Sequence, residues 1–377
     1  MAPGVRVIDF EMTAPVIHIT DLKSTQVQEL IANLGEPNYR SAQLQRWIYR
    51  GLAETFDEMA NLPQGLRQKL AQNARLHSLT PVQEVLSSDG TVKTLFALCD
   101  SRTVESTLMS YPLSRRRTRY TVCVSTQVGC AIGCPFCATG QQSFERNLTP
   151  GEIIDQVLYF ARTLRDHDRQ AGTSSKSTAS SITNLVFMGM GEPLANYDAL
   201  WQAIEVLNSP QGFGLGARNM VISTVGLLPQ IRRLSQEKLQ VGLAVSLHAS
   251  DNILRDRLVP INRKYPLEKL MSACCDYVEA TGRRVSFEYA LFEGINDSIE
   301  QARDLAKLLK GMNCHVNLIA GNPTSDAEFK ASGKDAVLAF QGELKQRHIP
   351  CTLRVRRGID IAAGCGQLRS HAIDTKS

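Results

Sequence analysis

The chain has 377 residues, a net charge of +5, 43% hydrophobic residues and 21% charged ones. Those values are ordinary for a globular protein able to bury a real core, and the length suits one large domain with a smaller appendage. No apolar run approaches the ~18 residues that span a bilayer. The N-terminus, MAPGVRVIDFEMTAPVIHIT, has acidic residues and proline where a secretory signal has a continuous apolar stretch, so a cytoplasmic protein is expected.

Residues 1–20 read as an N-terminal extension. From residue 21 to 86 the pattern is that of a small all-α domain: Leu22, Val27, Leu30 and Ile31 recur at helical spacing, as do Leu44, Trp47 and Ile48, and Leu66, Leu70 and Ala74, with Pro37 and Pro63 between the pieces. The polar stretch Ser87–Thr91 follows, and residues 87–368 form the second domain, with 369–377 as a tail.

Paired strands are predicted at Thr94–Cys99 and Val104–Ser110, and another at Tyr120–Ser125, running into a cysteine-rich loop. Arg115, Arg116, Arg117 and Arg119 precede that loop and read equally as a solvated turn or an RNA contact; the mild net charge permits an RNA partner without demanding one. An amphipathic helix is predicted over Gly151–Leu164, with Thr149 as N-cap and Pro150 in first position. Further strands are expected at Asn184–Met190, Met220–Thr224, Gln240–Leu247, Arg284–Leu291, His315–Ala320 and Thr352–Val355. Helices are expected around Tyr197–Leu207, Leu267–Ala280, Ile299–Lys310 and Lys334–Arg347, and Ala171–Ser181 reads as a flexible surface loop. Repeated β-then-α units predict an α/β fold with a parallel sheet, a partial (β/α)6 barrel with its site at the strands' C-terminal ends.

The strongest chemical signal is Cys130-Ala-Ile-Gly-Cys134-Pro-Phe-Cys137. Three thiolates within eight residues can hold one face of an iron–sulfur cluster and leave one iron open. Structural zinc lacks a fourth ligand nearby, and a thioredoxin-type pair would leave Cys130 unexplained. Phe187-Met-Gly-Met-Gly-Glu-Pro193 ends the second core strand. Its glycines, Gly191 among them, let backbone approach a ligand, and Glu192 can accept a bond from an ammonium group. Ser223, the run Ser246-Leu247-His248 and Asn322 also fall at strand ends, where ligands gather.

Cys365 lies between Gly364 and Gly366 after the last strand, an exposed, mobile thiol. Cys123 taken alone reads as a core residue, as do Cys99, Cys274, Cys275, Cys314 and Cys351.

The C-x3-C-x2-C loop after the first strand of a β/α domain resembles the radical S-adenosylmethionine (SAM) superfamily. Cys123-Val-Ser-Thr-Gln-Val-Gly-Cys130, Cys137-Ala-Thr-Gly140, Met188-Gly-Met-Gly-Glu-Pro-Leu194, Ser246-Leu-His248, Val259-Pro-Ile-Asn262, Gly294-Ile-Asn-Asp297 and Cys365-Gly-Gln-Leu368 together resemble the RlmN/Cfr family of RNA adenine methyltransferases, from about Glu36 to Leu368. The resemblance implies one [4Fe–4S] cluster on Cys130, Cys134 and Cys137, and two SAM molecules per turnover. It implies SAM contacts at Gly191, Glu192, Ser223, Ser246, Leu247, His248 and Asn322. Cys365 would take a methyl from one SAM, and the radical from the second would remove hydrogen from that S-methyl group. The methylene would add to an adenine carbon. Cys123 would then resolve the protein–RNA adduct through a transient disulfide, with Glu105 accepting the ring proton.

The target implied is C2 of an adenosine in the peptidyl-transferase loop of 23S rRNA, and the anticodon-adjacent adenosine of some tRNAs. Partners would be these RNAs and a one-electron donor such as flavodoxin or ferredoxin, with the chain a monomer. Glu192-Pro193 leans to C2, whereas Glu36-Pro-Asn-Tyr-Arg40 and Cys137-Ala-Thr-Gly140 lean to the family's C8 branch, associated with antibiotic resistance. Departures from the family pattern, Ala362-Ala363-Gly364 before Cys365 and Ala320-Gly321 before Asn322, bear on which RNA is used more than on the reaction. A radical-SAM activase would need no glycine-flanked cysteine paired with Cys123. The remaining alternative is a metal-containing RNA-binding protein without catalysis.

Overall fold

The computed structural model describes residues 17–114, 117–170, 182–322 and 328–370, with Arg117 described by its backbone alone. The N-terminal segment packs three short helices, α1 (Ser24–Asn33), α2 (Tyr39–Arg46) and α3 (Gln64–Asn73). Each turns its periodic apolar residues inward: Val27 and Ile31, Leu44, and Leu66 with Leu70 are buried. A two-residue parallel pairing of Ile17–His18 with Ala74–Arg75 closes the segment on itself.

The helical domain expected to reach residue 86 ends earlier. Leu79–Leu86 is a strand, β1, at the edge of the main sheet. Most of its side chains are exposed, so it lacks the alternation that marks a half-buried strand, and its Pro81 stands at an irregularity in the ladder, where an edge strand tolerates a missing N–H. Ser87–Thr91 is the turn into β2 (Val92–Leu98), which pairs with β3 (Thr103–Ser114), itself paired with β4 (Arg117–Cys123).

From β4 onward the chain alternates. The strands are β5 (Ile182–Phe187), β6 (Met220–Thr224), β7 (Gly242–Ser246), β8 (Val285–Leu291), β9 (Cys314–Ala320) and β10 (Cys351–Leu353). Between them lie α4 (Pro150–Gln170), α5 (Tyr197–Asn208), α6 (Leu228–Ser235), α7 (Asn252–Leu258), α8 (Leu267–Thr281), α9 (Ile299–Leu308) and α10 (Lys334–Gln346). The ten strands lie side by side in sequence order, antiparallel from β1 to β4 and parallel from β4 to β10. β1 and β10 end the sheet unpaired with each other, so it is an open, partial barrel of six βα units with an antiparallel extension.

α4 starts where Thr149 and Glu152 cap it reciprocally: Glu152 N donates to Thr149 Oγ1 at 3.1 Å, and Thr149 N to a Glu152 carboxylate oxygen at 2.9 Å. Its buried face carries Ile153, Ile154, Val157, Phe160, Ala161 and Leu164. α6 and α7, with 8 and 7 residues, span about two turns each. Such a short stretch shows too little periodicity to be read from sequence. The core fills the space between helices and sheet, with Phe187, Ile222, Val245, Phe287 and Val316 fully buried. Among the described residues, no helix is long and apolar enough to cross a membrane.

Candidate active site

The parallel strands end along one rim, and the loops leaving them enclose two adjoining chambers. The larger, about 1020 Å³, is lined by Cys130, Cys134 and Cys137 from the loop after β4 and by the ends of β5, β6 and β7. That loop folds tightly. Gly129 takes φ +70°, and a Cβ there would stand 2.0 Å from the carbonyl oxygen of Ser143, so only glycine fits.

Burial raises all three thiols, Cys130 to about 12 and Cys134 and Cys137 also above their ordinary value. Around them pack Ile132, Phe136, Val225 and Phe292. Thiolates in such apolar surroundings need a positive partner of their own. Among the described residues no three Cys, His, Asp or Glu side chains converge on one ion-sized point. Thiolates are the usual ligands of iron–sulfur clusters. The donor set and its dry wall therefore fit a cluster held by Cys130, Cys134 and Cys137.

Across the chamber stands the end of β5. Gly191 has φ +98°, and a Cβ there would lie 2.5 Å from Gln127 Cβ. Glu192 follows; its N–H donates to Gln127 Oε1 at 2.8 Å, and its carboxylate accepts from Leu194 N at 3.0 Å and Val225 N at 2.9 Å. Burial lifts this carboxyl to about 7 against the pull of those N–H groups. Ser223 and Ser246 line the same wall, their hydroxyls 3.5 Å apart.

His248, also in the wall, holds φ +60°. Its Nδ1 accepts from Ala290 N at 3.0 Å, which puts the ring proton on Nε2. Burial, then the nearby Arg255, push it down to about 3, so the ring is neutral. Phe136 meets it edge-to-face at 5.0 Å. Leu247 does not reach the chamber: its side chain belongs to the core, because alternate residues at a strand end face opposite ways.

Sequence reasoning missed Arg255. This buried guanidinium donates to the carbonyls of Val225 at 2.7 Å, Ser246 at 3.2 Å and Leu247 at 3.2 Å, and to Asn262 Oδ1 at 2.8 Å. It ties together the ends of β6 and β7. Its position inside the short α7 hid it.

The second chamber, about 510 Å³, is lined by Cys123, Thr107, Met109, Tyr111 and the segment after β10. Five residues line both chambers: Met188, Ile319, Asn322, Arg354 and Cys365. Cys365 thus stands in the partition, with the three-cysteine loop on one side and Cys123 on the other. Burial pushes the Cys123 thiol up to about 12, helped by Cys365 and opposed by Arg354. Arg354, also missed, is raised foremost by its nearness to Cys365; its Nη1 lies 3.3 Å from Glu288 Oε2 and 3.5 Å from Met188 Sδ. The run Arg354-Val-Arg-Arg357 after the last strand was the signal available for it.

Cys365 is half-buried and tethered, not exposed and mobile as its glycine neighbours predict. Asn322 Nδ2 donates to its carbonyl oxygen at 3.0 Å, Ala138 N donates to Gly366 O at 2.7 Å, and Thr139 Oγ1 donates to Leu368 O at 2.5 Å. Upstream, Ser87 Oγ and Ser88 N donate to the Asp360 carboxylate, and Gly358 N to Asp89 at 2.9 Å. Among the described residues, Asn322 Oδ1 is buried without a partner, an acceptor left for a ligand.

Glu105 lines neither chamber. It shares a face of β3 with Thr107 and lies buried, 3.0 Å from Lys93 Nζ, with its other oxygen accepting from Arg369 N at 3.0 Å. Of the remaining cysteines, Cys274, Cys314 and Cys351 are buried, but Cys99 and Cys275 are exposed and not core residues as expected. Cys99 reaches out from the end of β2 to within 3.4 Å of His18 Nε2, and Cys275 sits on the outer face of α8. Arg115, Arg116, the Arg117 side chain and the loop Ala171–Ser181 lie outside the described residues.

Known proteins resemble the chain over nearly its whole length. Residues 17–76 match a family model described as the ribosomal RNA large subunit methyltransferase N-terminal domain. Over 93% of its length the chain is 46% identical to a protein of Desulfitobacterium hafniense named probable dual-specificity RNA methyltransferase RlmN, covering 95% of that protein. A protein of the same name from Chloroflexus aurantiacus is 47% identical over 92% of this chain and 91% of its own. A crystal structure of a radical SAM methyltransferase from Sphaerobacter thermophilus superposes with a TM-score of 0.87 at 48% identity, covering 94% of this chain and 99% of that one.

Proposed function

The chain belongs to the RlmN family of radical SAM RNA methyltransferases, and from that premise we propose that it methylates C2 of an adenosine in 23S rRNA, and also the anticodon-adjacent adenosine of tRNA, through Cys365. The observation that carries the reading is the position of Cys365 in the partition between the chamber of Cys130, Cys134 and Cys137 and the chamber of Cys123.

An adenine ring carbon flanked by nitrogens is electron-poor and does not attack the methyl of SAM as an amine would. A carrier on the protein is therefore needed. Cys365 as a thiolate displaces the methyl from one SAM, releasing S-adenosylhomocysteine. Gly191, Glu192, Ser223, Ser246, His248 and Asn322 form the wall against which SAM is held. Glu192 accepts from its ammonium, and Asn322 Oδ1 accepts from it as well; Leu247 has no part in holding it, its N–H and carbonyl being bonded to Glu288 O and Arg255. Cys130, Cys134 and Cys137 would hold the cluster, which would supply the electron for reductive cleavage of a second SAM to methionine and a 5′-deoxyadenosyl radical.

The S-methyl of Cys365 then gives up a hydrogen atom to the 5′-deoxyadenosyl radical, forming 5′-deoxyadenosine, and its methylene carbon bonds to the adenine. The ring radical so formed loses its proton to a base and one electron, which the oxidised cluster would take back. Cys123 as a thiolate then attacks the Cys365 sulfur to form a disulfide, and the bond from that sulfur to the methylene carbon breaks as the carbon takes up a proton, freeing the methylated base. Deep burial of Cys123 keeps its thiol protonated until Cys365 and Arg354 are engaged. Glu105 remains our candidate acceptor for the ring proton, although its pairing with Lys93 and Arg369 N must loosen first. The helices α1 to α3 would grip folded RNA through phosphates and shape. A flavodoxin or ferredoxin as electron donor, a monomeric state and a cytoplasmic location complete the proposal.

Nucleoside mass spectrometry of 23S rRNA and tRNA from cells with and without the gene tests it. Loss of 2-methyladenosine is expected; loss of 8-methyladenosine instead assigns the chain to the C8 reaction. In vitro, Cys365→Ala should retain the iron chromophore and abolish RNA methylation, and persistent methylation would remove the carrier mechanism.

A further inference from the structure

A ladder of residues leads from Cys123 out of the second chamber, and beyond Cys123 it has no part in the chemistry above. Cys123, Thr121 and Arg119 alternate along β4 and pair in register with Thr107, Met109 and Tyr111 of β3. Alternation puts all six on one face of the hairpin. Thr107, Met109, Tyr111 and Cys123 line the chamber, so the ladder runs from Cys123 inside to the Tyr111–Arg119 pair at the mouth, about 13 Å along the strand.

At that mouth two cations converge on one ring. The guanidinium of Arg119 lies 4.4 Å from the Tyr111 ring centroid and that of Arg357 lies 4.9 Å away. Stacking on an aromatic face fixes a guanidinium plane and leaves its N–H edges free to bond. Those edges are largely unspent. Arg119 is exposed and, among the described residues, makes no hydrogen bond or ion pair. Arg357 gives one bond to Asp89 O at 3.1 Å and its Nη1 lies 3.9 Å from the Asp89 carboxylate, while its Nε is buried with no acceptor among the described residues. Arg356 lines the chamber too, and its bond among the described residues is to Gly321 O at 3.4 Å. Of the nearby acids, Asp89 also accepts from Gly358 and Thr91, and Glu288 holds Arg354 and Asn317. Among the described residues no anion meets Arg119, and one carboxylate already shared with two backbone N–H groups is all that faces Arg357.

We infer that Tyr111, Arg119 and Arg357 form a clamp for the sugar–phosphate backbone of single-stranded RNA, holding a phosphodiester beside the nucleotide that enters the Cys123–Cys365 chamber. A phosphodiester accepts charge-assisted bonds from guanidinium edges, and a base that must leave its stack to react needs its flanking backbone fixed. The inference rests on the proposed entry of RNA beside Cys365, and the clamp residues position the substrate without touching the reacting atoms.

The test uses full-length, cluster-loaded protein and a transcript of the 23S rRNA peptidyl-transferase loop, with the dissociation constant measured across a salt series. Arg119→Gln with Arg357→Gln should weaken binding tenfold or more at low salt and reduce the salt slope by roughly 0.7 for each phosphate no longer neutralised. Tyr111→Leu should weaken binding with both charges still present, and Arg119→Lys with Arg357→Lys should restore most of the slope but not the affinity. Unchanged iron–sulfur absorbance and unfolding midpoint verify that the variants fold. Wild-type protein that binds, with glutamine variants equal to it in affinity and slope, overturns the clamp alone. Wild-type protein that neither binds nor methylates the transcript overturns the enzymatic reading and the clamp together.

Discussion

The side-chain amide of Asn322 donates to the carbonyl oxygen of Cys365 at 3.0 Å while its own Oδ1, buried, has no partner among the described residues. One residue just past the end of β9 therefore fixes Cys365 and offers an acceptor to whatever fills the chamber. Asn322→Ala removes both, and a hydrogen bond of this kind is worth about 1 kcal/mol. Transfer of a methyl from SAM to Cys365, followed by protein mass spectrometry, should slow by roughly fivefold or more, with iron content unchanged. Methyl transfer at the wild-type rate would show that the amide only packs.

Gly191→Ala should be the most damaging single-methyl change at the SAM wall. The backbone at φ +98° and the 2.5 Å approach of Gln127 Cβ leave no room for it, and the left-handed conformation alone costs about 1–2 kcal/mol. Relief requires Gln127 to move, which would break its bond to Glu192 N. Equilibrium dialysis with SAM should register at least a tenfold loss of affinity, and an unaltered affinity would mean the turn has slack that the geometry does not show.

Acid should destabilise the chain in part through His248. Burial sets the folded ring near 3 against an ordinary 6.5. Between those values the unfolded chain takes up a proton that the folded chain refuses. His248 therefore favours the folded state fully above its unfolded value, and that contribution is lost as the pH falls, by about 1.4 kcal/mol per unit. His248→Asn, which tolerates the positive φ and keeps an acceptor, should make the decline between pH 6 and 5 shallower by about that amount in urea unfolding. Parallel curves for the two proteins would place the acid sensitivity elsewhere.

Cys123→Ala and Glu105→Gln should stop the reaction after the methylene has joined the base. Each would leave RNA covalently attached to Cys365, seen as a denaturant-resistant band. For Glu105 the alternative is structural: it pairs with Lys93 at 3.0 Å and holds Arg369 N. If Glu105→Gln lowers the unfolding midpoint without accumulating adduct, its part is to anchor the chain after Cys365.

What could be read in the sequence followed physical regularity. Val27 and Ile31, or Val157 and Phe160, announce helices because 3.6-residue periodicity survives over several turns. Leu79–Leu86 announces nothing, since an exposed edge strand with a proline has no apolar face to display. The three-cysteine loop was legible because its ligands sit close together in the chain. Arg255 and Arg354 were not, because Arg255 acts on partners up to 30 residues away and Arg354 on partners up to 166 away, and only the folded sheet brings them together. Leu247 was credited with a ligand through its neighbours in Ser-Leu-His, whereas strand alternation turns it into the core. Cys365 was expected to be loose because local glycines say nothing about the distant Asp360, Asn322 and Thr139 bonds that hold its segment.

A thiol set in a shared wall needs no swinging arm. Rotation about its own side-chain bonds can present one sulfur to either room, so neither a hinge nor a large reorganisation has to keep time with the chemistry. A methyl group carried on that sulfur would also take up space in the wall, so that filling one room would narrow the other.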